Sequence, residues 1–160
     1  MVAGGVGLAP FVTLAEALGD RGTTATLFYG ARRTSELHYV DLFERLGVRL
    51  VLSTEDGSRG TKGFVTTPLA TALAARSPAT RVRLYACGPT PMMRAVANLA
   101  ASHHCACNVS LEQVMGCGLG GCYSCVVPTR TPSGSPHFVR SCIEGPVFDA
   151  TRILWDALGH

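Results

Sequence analysis

At 160 residues, with 47% apolar and 16% charged side chains, the chain has the make-up of one globular domain with a buried core, or of one domain and a small appendage. A formal net charge of +3, carried by arginines with Lys62 the only lysine and no run of like charge, is too small to argue for nucleic acid or an anionic membrane surface as a partner. No apolar run approaches the ~18 residues that span a bilayer, no signal-peptide pattern opens the chain, and seven cysteines without an export signal point to the cytoplasm and to metal chemistry.

In chain order, Val2 to Pro10 reads as the end of a strand, a glycine turn (Gly4-Gly5-Val6-Gly7) and the start of a helix that runs to about Leu18. Thr24 to Tyr29, rich in β-branched and aromatic residues and bounded by Gly22 and Gly30, is a buried strand. Thr34-Ser35-Glu36 opens a helix with Leu37, Val40, Phe43 and Leu46 close to one face, ended by Gly47. Val48 to Leu52 is a third strand, followed by a polar loop from Thr54 to Gly63. Thr66 to Arg76 is a short helix carrying Leu69 and Leu73. Val82 to Cys87 is a fourth strand, Pro91 to His103 a helix with Met93, Val96, Ala97 and Ala100 inward, and Asn108 to Leu111 a fifth strand. This alternation predicts an open, mostly parallel five-stranded α/β sheet with helices on both faces and right-handed crossovers.

After Glu112 the pattern changes. Gly, Pro, Ser and Cys dominate, the strands are short (Ser124 to Val127, His137 to Arg140), and Thr131-Pro132-Ser133-Gly134 reads as a hairpin tip. The expected organisation is therefore an α/β domain over 1–111 and a cysteine-rich domain over 112–160. The second is below the size that usually folds alone, so a bound metal is expected to staple it.

The strongest chemical signal lies in that second part. Cys117, Cys122 and Cys125 are spaced C-x4-C-x2-C, and Cys142 follows after sixteen residues. This is the plant-type spacing for a [2Fe-2S] cluster. The intervening glycines allow the sharp turns that bring three sulfurs of one loop together. A four-cysteine zinc site and structural thiols are the alternatives; zinc modules usually pair two C-x2-C knuckles, and only one is present.

The other candidates sit at strand ends. Gly4, Gly5, Val6, Gly7 and Pro10 form a strand-to-helix turn in which backbone could approach a pyrophosphate, or a plain tight turn; the spacing is not G-x-G-x-x-G. Cys87, Gly88 and Pro89 end the fourth strand, where ligands of open α/β sheets bind, although Cys87 also suits a core position. Glu55 and Asp56 could accept hydrogen bonds from a ribose diol and so favour NAD over NADP, or simply form a solvated turn. Glu112 reads as a structural or cap carboxylate rather than a proton donor, Cys105 and Cys107 as packing residues, His103 and His104 as helix-end residues whose partial positive charge suits the dipole, and His38, His137 and His160 as unremarkable. Trp155 anchors the tail or meets a partner.

Taken together and in order, GGVGLAP, YGAR (Tyr29 to Arg32), TEDGSRGTKGFVT (Thr54 to Thr67), YACGPTPMM (Tyr85 to Met93) and SLEQVMGCGLGGCYSC resemble the ferredoxin–NADP reductase superfamily, and more narrowly the electron-transfer subunits of NAD-dependent dihydroorotate dehydrogenases. The resemblance implies a nicotinamide-binding domain holding NAD through the loops at Gly4 to Pro10 and Cys87 to Pro89, then a [2Fe-2S] domain ligated by Cys117, Cys122, Cys125 and Cys142. It implies electron transfer in pyrimidine biosynthesis, with an FMN-containing catalytic subunit as partner in a heterotetramer. Members of the family hold FAD in an N-terminal β-barrel with an Arg-x-Tyr-Ser motif. No stretch here matches it, so FAD is expected to be bound mainly by a domain outside this chain, as in a fragment or a system with a separate barrel. No catalytic residue and no turnover by the chain alone are expected. A reductase module of another flavin and iron–sulfur oxidoreductase, such as an oxygenase, hydrogenase or transhydrogenase, is the second reading, and a non-catalytic zinc-stapled binding module the third.

Overall fold

The computed structural model describes residues 1–158; Gly159 and His160, the last of the expected 112–160 domain, lie outside them. The five expected strands are β1 (Val2–Gly4), β2 (Thr26–Ala31), β3 (Arg49–Thr54), β5 (Arg83–Cys87) and β6 (Ala106–Ser110), with the two-residue β4 (Thr61–Lys62) inserted after β3. β7 (Val126–Arg130) and β8 (Pro136–Arg140) form a separate antiparallel hairpin. β9 (Val147–Asp149) follows and returns to the first sheet. That sheet therefore has seven strands rather than five, in the order β4-β3-β2-β1-β5-β6-β9, parallel throughout except for β9.

The sheet is buried on both faces by the alternation of its side chains. Val2 lies level with Phe28 and Ala86, and all three join one apolar cluster with Leu69 and Leu73 of α3 (Thr66–Ala74) and with Met93, Val96 and Ala100 of α4 (Thr90–Ser102). One residue along, Ala3 lies level with Tyr29 and Cys87. These join a second cluster with Phe11 and Ala15 of α1 (Pro10–Gly19) and with Val40 and Phe43 of α2 (Val40–Arg45). The short β1 thus sits at the centre of the sheet and contributes to both cores.

One expected helix changes. The helix expected from Thr34 is broken: Thr34–Glu36 is a single 3-10 turn, Leu37 is extended, and Tyr39 at φ 57° precedes α2. The buried Tyr29 accounts for the break. Its hydroxyl donates to the carbonyl of Glu36 and accepts from the N–H of His38, so these backbone groups are not free to bond along a helix. The cysteine-rich part also packs on the sheet. Val127, Val139, Phe148, Ala150, Ile153 and Leu158 are buried in the same cluster as Val96 and Val109. Each of the Val, Leu, Ile and Phe side chains among them contributes roughly 1.5–3 kcal/mol when fully buried. Trp155 packs against this cluster, its indole N–H donating to Ala150, while Asp156 pairs with Arg94 of α4 at 2.5 Å; the tail is anchored on the sheet. The one-turn α5 (Ser141–Glu144) joins the hairpin to β9.

Candidate functional site

The carboxyl ends of the parallel strands open into two adjoining cavities of about 580 and about 330 Å³. Gly4 and Gly5, leaving β1, and Pro89, between β5 and α4, line both. Close approach of backbone is what these residues supply. A Cβ on Gly4 would lie 2.8 Å from the Sδ of Met92 and from Pro89, and Gly5 and Gly88 adopt φ values of 55° and 148° that side-chain-bearing residues rarely take. Pro91 occupies the first turn of α4, so the N-terminus of that 13-residue helix, with its unpaired N–H groups, faces the groove.

The expected nucleotide-binding residues divide into those that reach the groove and those that support it. Gly4, Gly5, Val6, Gly88 and Pro89 line it. Gly7 lies behind it, packed so closely on the end of β5 that a Cβ would fall 2.3 Å from the carbonyl oxygen of Cys87. Pro10 begins α1 and lines neither cavity. Cys87 is buried beneath the loop, its Sγ 3.9 Å from a carboxylate oxygen of Glu112; burial pushes the thiol pKa up, with the Glu112 charge adding to it. Glu55 is in the wall of the larger cavity. Asp56 is not; its Oδ1 accepts the N–H of Ser58 at 2.9 Å, and the Ser58 side chain and backbone hold its carboxyl below the usual range.

Three groove residues were not singled out by sequence. Arg32 and Glu36 lie on the walls at the end of β2, and Phe64 stands in the larger cavity while 68% exposed, an aromatic face presented to any planar ligand. The available signal for Phe64 was its position outside the Leu69/Leu73 stripe of α3, which leaves it no core to enter.

At the other end of the smaller cavity, Leu111, Glu112 and Gln113 lead directly into the cysteine loop. Gly118, Gly120 and Tyr123 take positive φ there, giving the reversals that a short multi-cysteine loop requires. The Sγ of Cys117 accepts hydrogen bonds from the N–H groups of Leu119 and Gly121, each 3.3 Å away. Gly116 leaves a small cradle: a Cβ there would lie 3.1 Å from the Sγ of Cys122. The guanidinium of Arg140 closes the loop, donating to the carbonyl of Gly120 at 2.6 Å and lying 4.9 Å over the ring of Tyr123.

The four thiols interact in pairs. Hydrogen bonds from Ser124 and then from Cys117 lower the pKa of Cys122 to about 6. The N–H and thiol of Cys142 lower that of Cys125, while Cys142, donating to that sulfur, is raised. Among the described residues no three His, Cys, Asp or Glu side chains converge on one ion-sized point. Two thiol pairs with backbone N–H groups aimed at sulfur fit a binuclear iron–sulfur group, whose sulfurs are commonly hydrogen-bonded in this way. Cys105 and Cys107 stand apart at β6. Cys105 receives a guanidinium hydrogen bond from Arg76 at 3.2 Å, and burial pushes Cys107 up to about 11.

Known proteins combine these two features. Residues 1–98 match the oxidoreductase NAD-binding domain, and residues 112–154 match the iron–sulfur cluster binding domain of dihydroorotate dehydrogenase B. The electron transfer subunit of dihydroorotate dehydrogenase B (NAD(+)) from Fusobacterium nucleatum is 36% identical over 96% of this chain and 56% of its own length. The same subunit from Desulforamulus reducens is 35% identical over 98% of this chain and 58% of its own. Among solved structures, that of an NADH-dependent reduced ferredoxin-NADP oxidoreductase superposes with a TM-score of 0.80 at 34% identity, covering 98% of this chain and 54% of that one. The chain therefore spans a little over half the length of the relatives it matches. With a glycine-walled groove at the strand ends, bounded by the residues that precede a paired-thiol loop, the chain belongs to the oxidoreductase NAD-binding domain family, and its residues 112–154 are similar to the iron–sulfur cluster binding domain of dihydroorotate dehydrogenase B.

Proposed function

We propose that the chain is the nicotinamide- and cluster-binding part of a dihydroorotate dehydrogenase electron-transfer subunit, linking an FMN-containing catalytic subunit to NAD in cytoplasmic pyrimidine synthesis. One observation carries this reading. The smaller cavity is walled on one side by the Gly4–Val6 and Gly88–Thr90 turns and on the other by Leu111 to Gln113, the residues that open the cysteine loop. A nicotinamide held there would lie beside the cluster-binding module. The charge balance and fold of the described residues fit this role; among them no helix is long and apolar enough to cross a membrane.

Each part of the chain has a distinct task. The glycine turns admit a pyrophosphate to backbone N–H groups at the start of α4, and Phe64, with Met92 nearby, offers an apolar face for the adenine. Cys117 and Cys122 would hold one iron, and Cys125 and Cys142 the other. Nicotinamide and flavin supply two-electron chemistry and an iron–sulfur centre one-electron chemistry, so a chain binding the first and last of these needs the flavin between them. FAD would be held chiefly by protein outside the described residues. A heterotetramer with the catalytic subunit is the expected assembly.

Anaerobic reconstitution with iron and sulfide tests the reading. The expected product is reddish-brown, with about two irons and two sulfides per chain and no zinc. Zinc retained at about one per chain, with no colour, would support a stapled binding module instead. A second reading, a reductase module for a different partner, is favoured by the likeness to the ferredoxin-NADP oxidoreductase structure. Mixing the holo-complex with dihydroorotate and NAD+ separates them: NADH formation supports the first reading and its absence the second.

A further inference from the structure

Three ionic side chains stand in the wall of the larger cavity: Arg32, Glu36 and Glu55. Glu36 is the one that organises the others. One carboxylate oxygen accepts the backbone N–H of Arg32 at 3.3 Å, and the other accepts the Nε–H of Arg33 at 3.1 Å. Its carbonyl is fixed from below by the hydroxyl of the buried Tyr29. The backbone of Glu36 is thus anchored on a core residue, while its side chain is 38% exposed. Arg33 lines neither cavity; its side chain is 62% exposed and is drawn onto Glu36, which does line the larger one.

An adenosine ribose brings to such a rim either two hydroxyl donors or a 2′-phosphate. Carboxylates accept from the diol and repel the phosphate, whereas a free guanidinium fork grips the phosphate in two places. Two arginines in sequence would by themselves favour the phosphate. Glu36 counters this: it pairs with Arg33 and adds a second carboxylate to the cavity wall that Glu55 also lines. We propose that Glu36 is the residue by which this groove selects a dinucleotide with a free adenosine 2′-hydroxyl over its 2′-phosphorylated counterpart, acting through its hold on Arg33. The assignment rests on the dinucleotide reading of the groove and adds to it the residue that sets the discrimination.

The test is a comparison of NADH and NADPH dissociation constants, read from nicotinamide fluorescence on the full chain. Wild type should bind NADH more tightly. Glu36→Gln should tighten NADPH by roughly tenfold and weaken NADH by roughly threefold, the scale expected on removing a like charge from a ligand contact. The double variant Glu36→Gln with Arg33→Ala should lose the NADPH gain, because the freed guanidinium is its source. Raising the salt to about 0.5 M should also shrink that gain. Glu36 and Arg33 lie in an exposed turn, and unchanged thermal melting of both variants checks that only recognition has moved. An NADPH:NADH ratio within twofold of wild type in Glu36→Gln, with NADH still bound, overturns the assignment and leaves the dinucleotide reading standing. A gain that survives in the double variant overturns the role of Arg33. Wild type that binds neither dinucleotide at millimolar concentration overturns the groove reading and the assignment with it.

Discussion

Substituting Gly7 by Ala should unfasten the centre of the sheet. The added Cβ would lie 2.3 Å from the carbonyl oxygen of Cys87, 2.4 Å from its carbon and 2.6 Å from the nitrogen of Gly88. Ordinary contact needs about 1 Å more, and the obstructing atoms are backbone, which cannot rotate aside as a side chain does. They also lie at the end of β5, where Val2 and Ala3 pair with Ala86 and Cys87. Relief of the clash therefore means parting β1 from β5. A cost of about 3 kcal/mol is expected, at the upper end for overpacking. For a chain of this size that lowers the melting temperature by roughly 6–12 °C. Gly19→Ala is the matched control: Gly19 closes α1, a Cβ there meets nothing within 4 Å, and its φ is not positive. It should raise stability by roughly 0.5–1 kcal/mol through lost backbone freedom in the unfolded chain. Thermal melting followed by far-UV circular dichroism measures both. If Gly7→Ala melts within about 1 °C of wild type, the close approach of the glycine turn to β5 is not a packing constraint and the reasoning is refuted.

Other consequences can be checked alongside. Cys122→Ser should abolish iron incorporation while Cys105→Ser leaves it intact, by metal analysis after reconstitution; equal iron in both would refute the ligand assignment. Phe64→Ala should weaken NADH binding about tenfold with no loss of melting temperature, since the ring is 68% exposed and supports no core. Arg140→Ala removes the hydrogen bond to Gly120 and the contact with Tyr123, and the loop should then release its metal several-fold faster to a chelator, at a cost of about 2 kcal/mol. Cys107 gives a pH signature. Its thiol titrates near 9 unfolded and about 11 folded, so the stability from its burial is fully present below pH 9 and lost as pH rises to 11. Denaturant unfolding at pH 8 and 10.5 should show a loss of up to about 2 kcal/mol that Cys107→Ala removes.

The elements that rest on local periodicity could be read directly from the chain. The apolar strands through Phe28, Val51 and Ala86, the Leu69/Leu73 stripe of α3 and the Thr131–Gly134 hairpin tip all lie where pattern and turn chemistry put them. The match of residues 112–154 to an iron–sulfur cluster binding domain agrees with what the cysteine spacing implied, because spacing along one short segment is itself a statement about geometry. What escaped depends on partners distant in sequence. The interruption at Tyr39 follows from the hydroxyl of Tyr29, ten residues earlier and fixed in the sheet. β9 has three residues and becomes a strand only because the exposed edge of β6 is available to it. Glu36 looks in sequence like a helix opener, and only the folded rim shows it holding Arg33. Asp56 and Glu55, adjacent and alike in sequence, differ in the fold because one side chain turns back on Ser58 and the other reaches the groove.

The return of β9 to the sheet ties the cysteine module to the nucleotide domain at two places, at Leu111 to Gln113 and again through the ladder from Asn108–Asp149 to Ser110–Val147. A module joined by a single linker would swing, and any current through it would wait on diffusion of the arm. A module stitched down at both ends holds the cysteine loop at one distance from the groove, so a flavin seated between them would meet both at a fixed range.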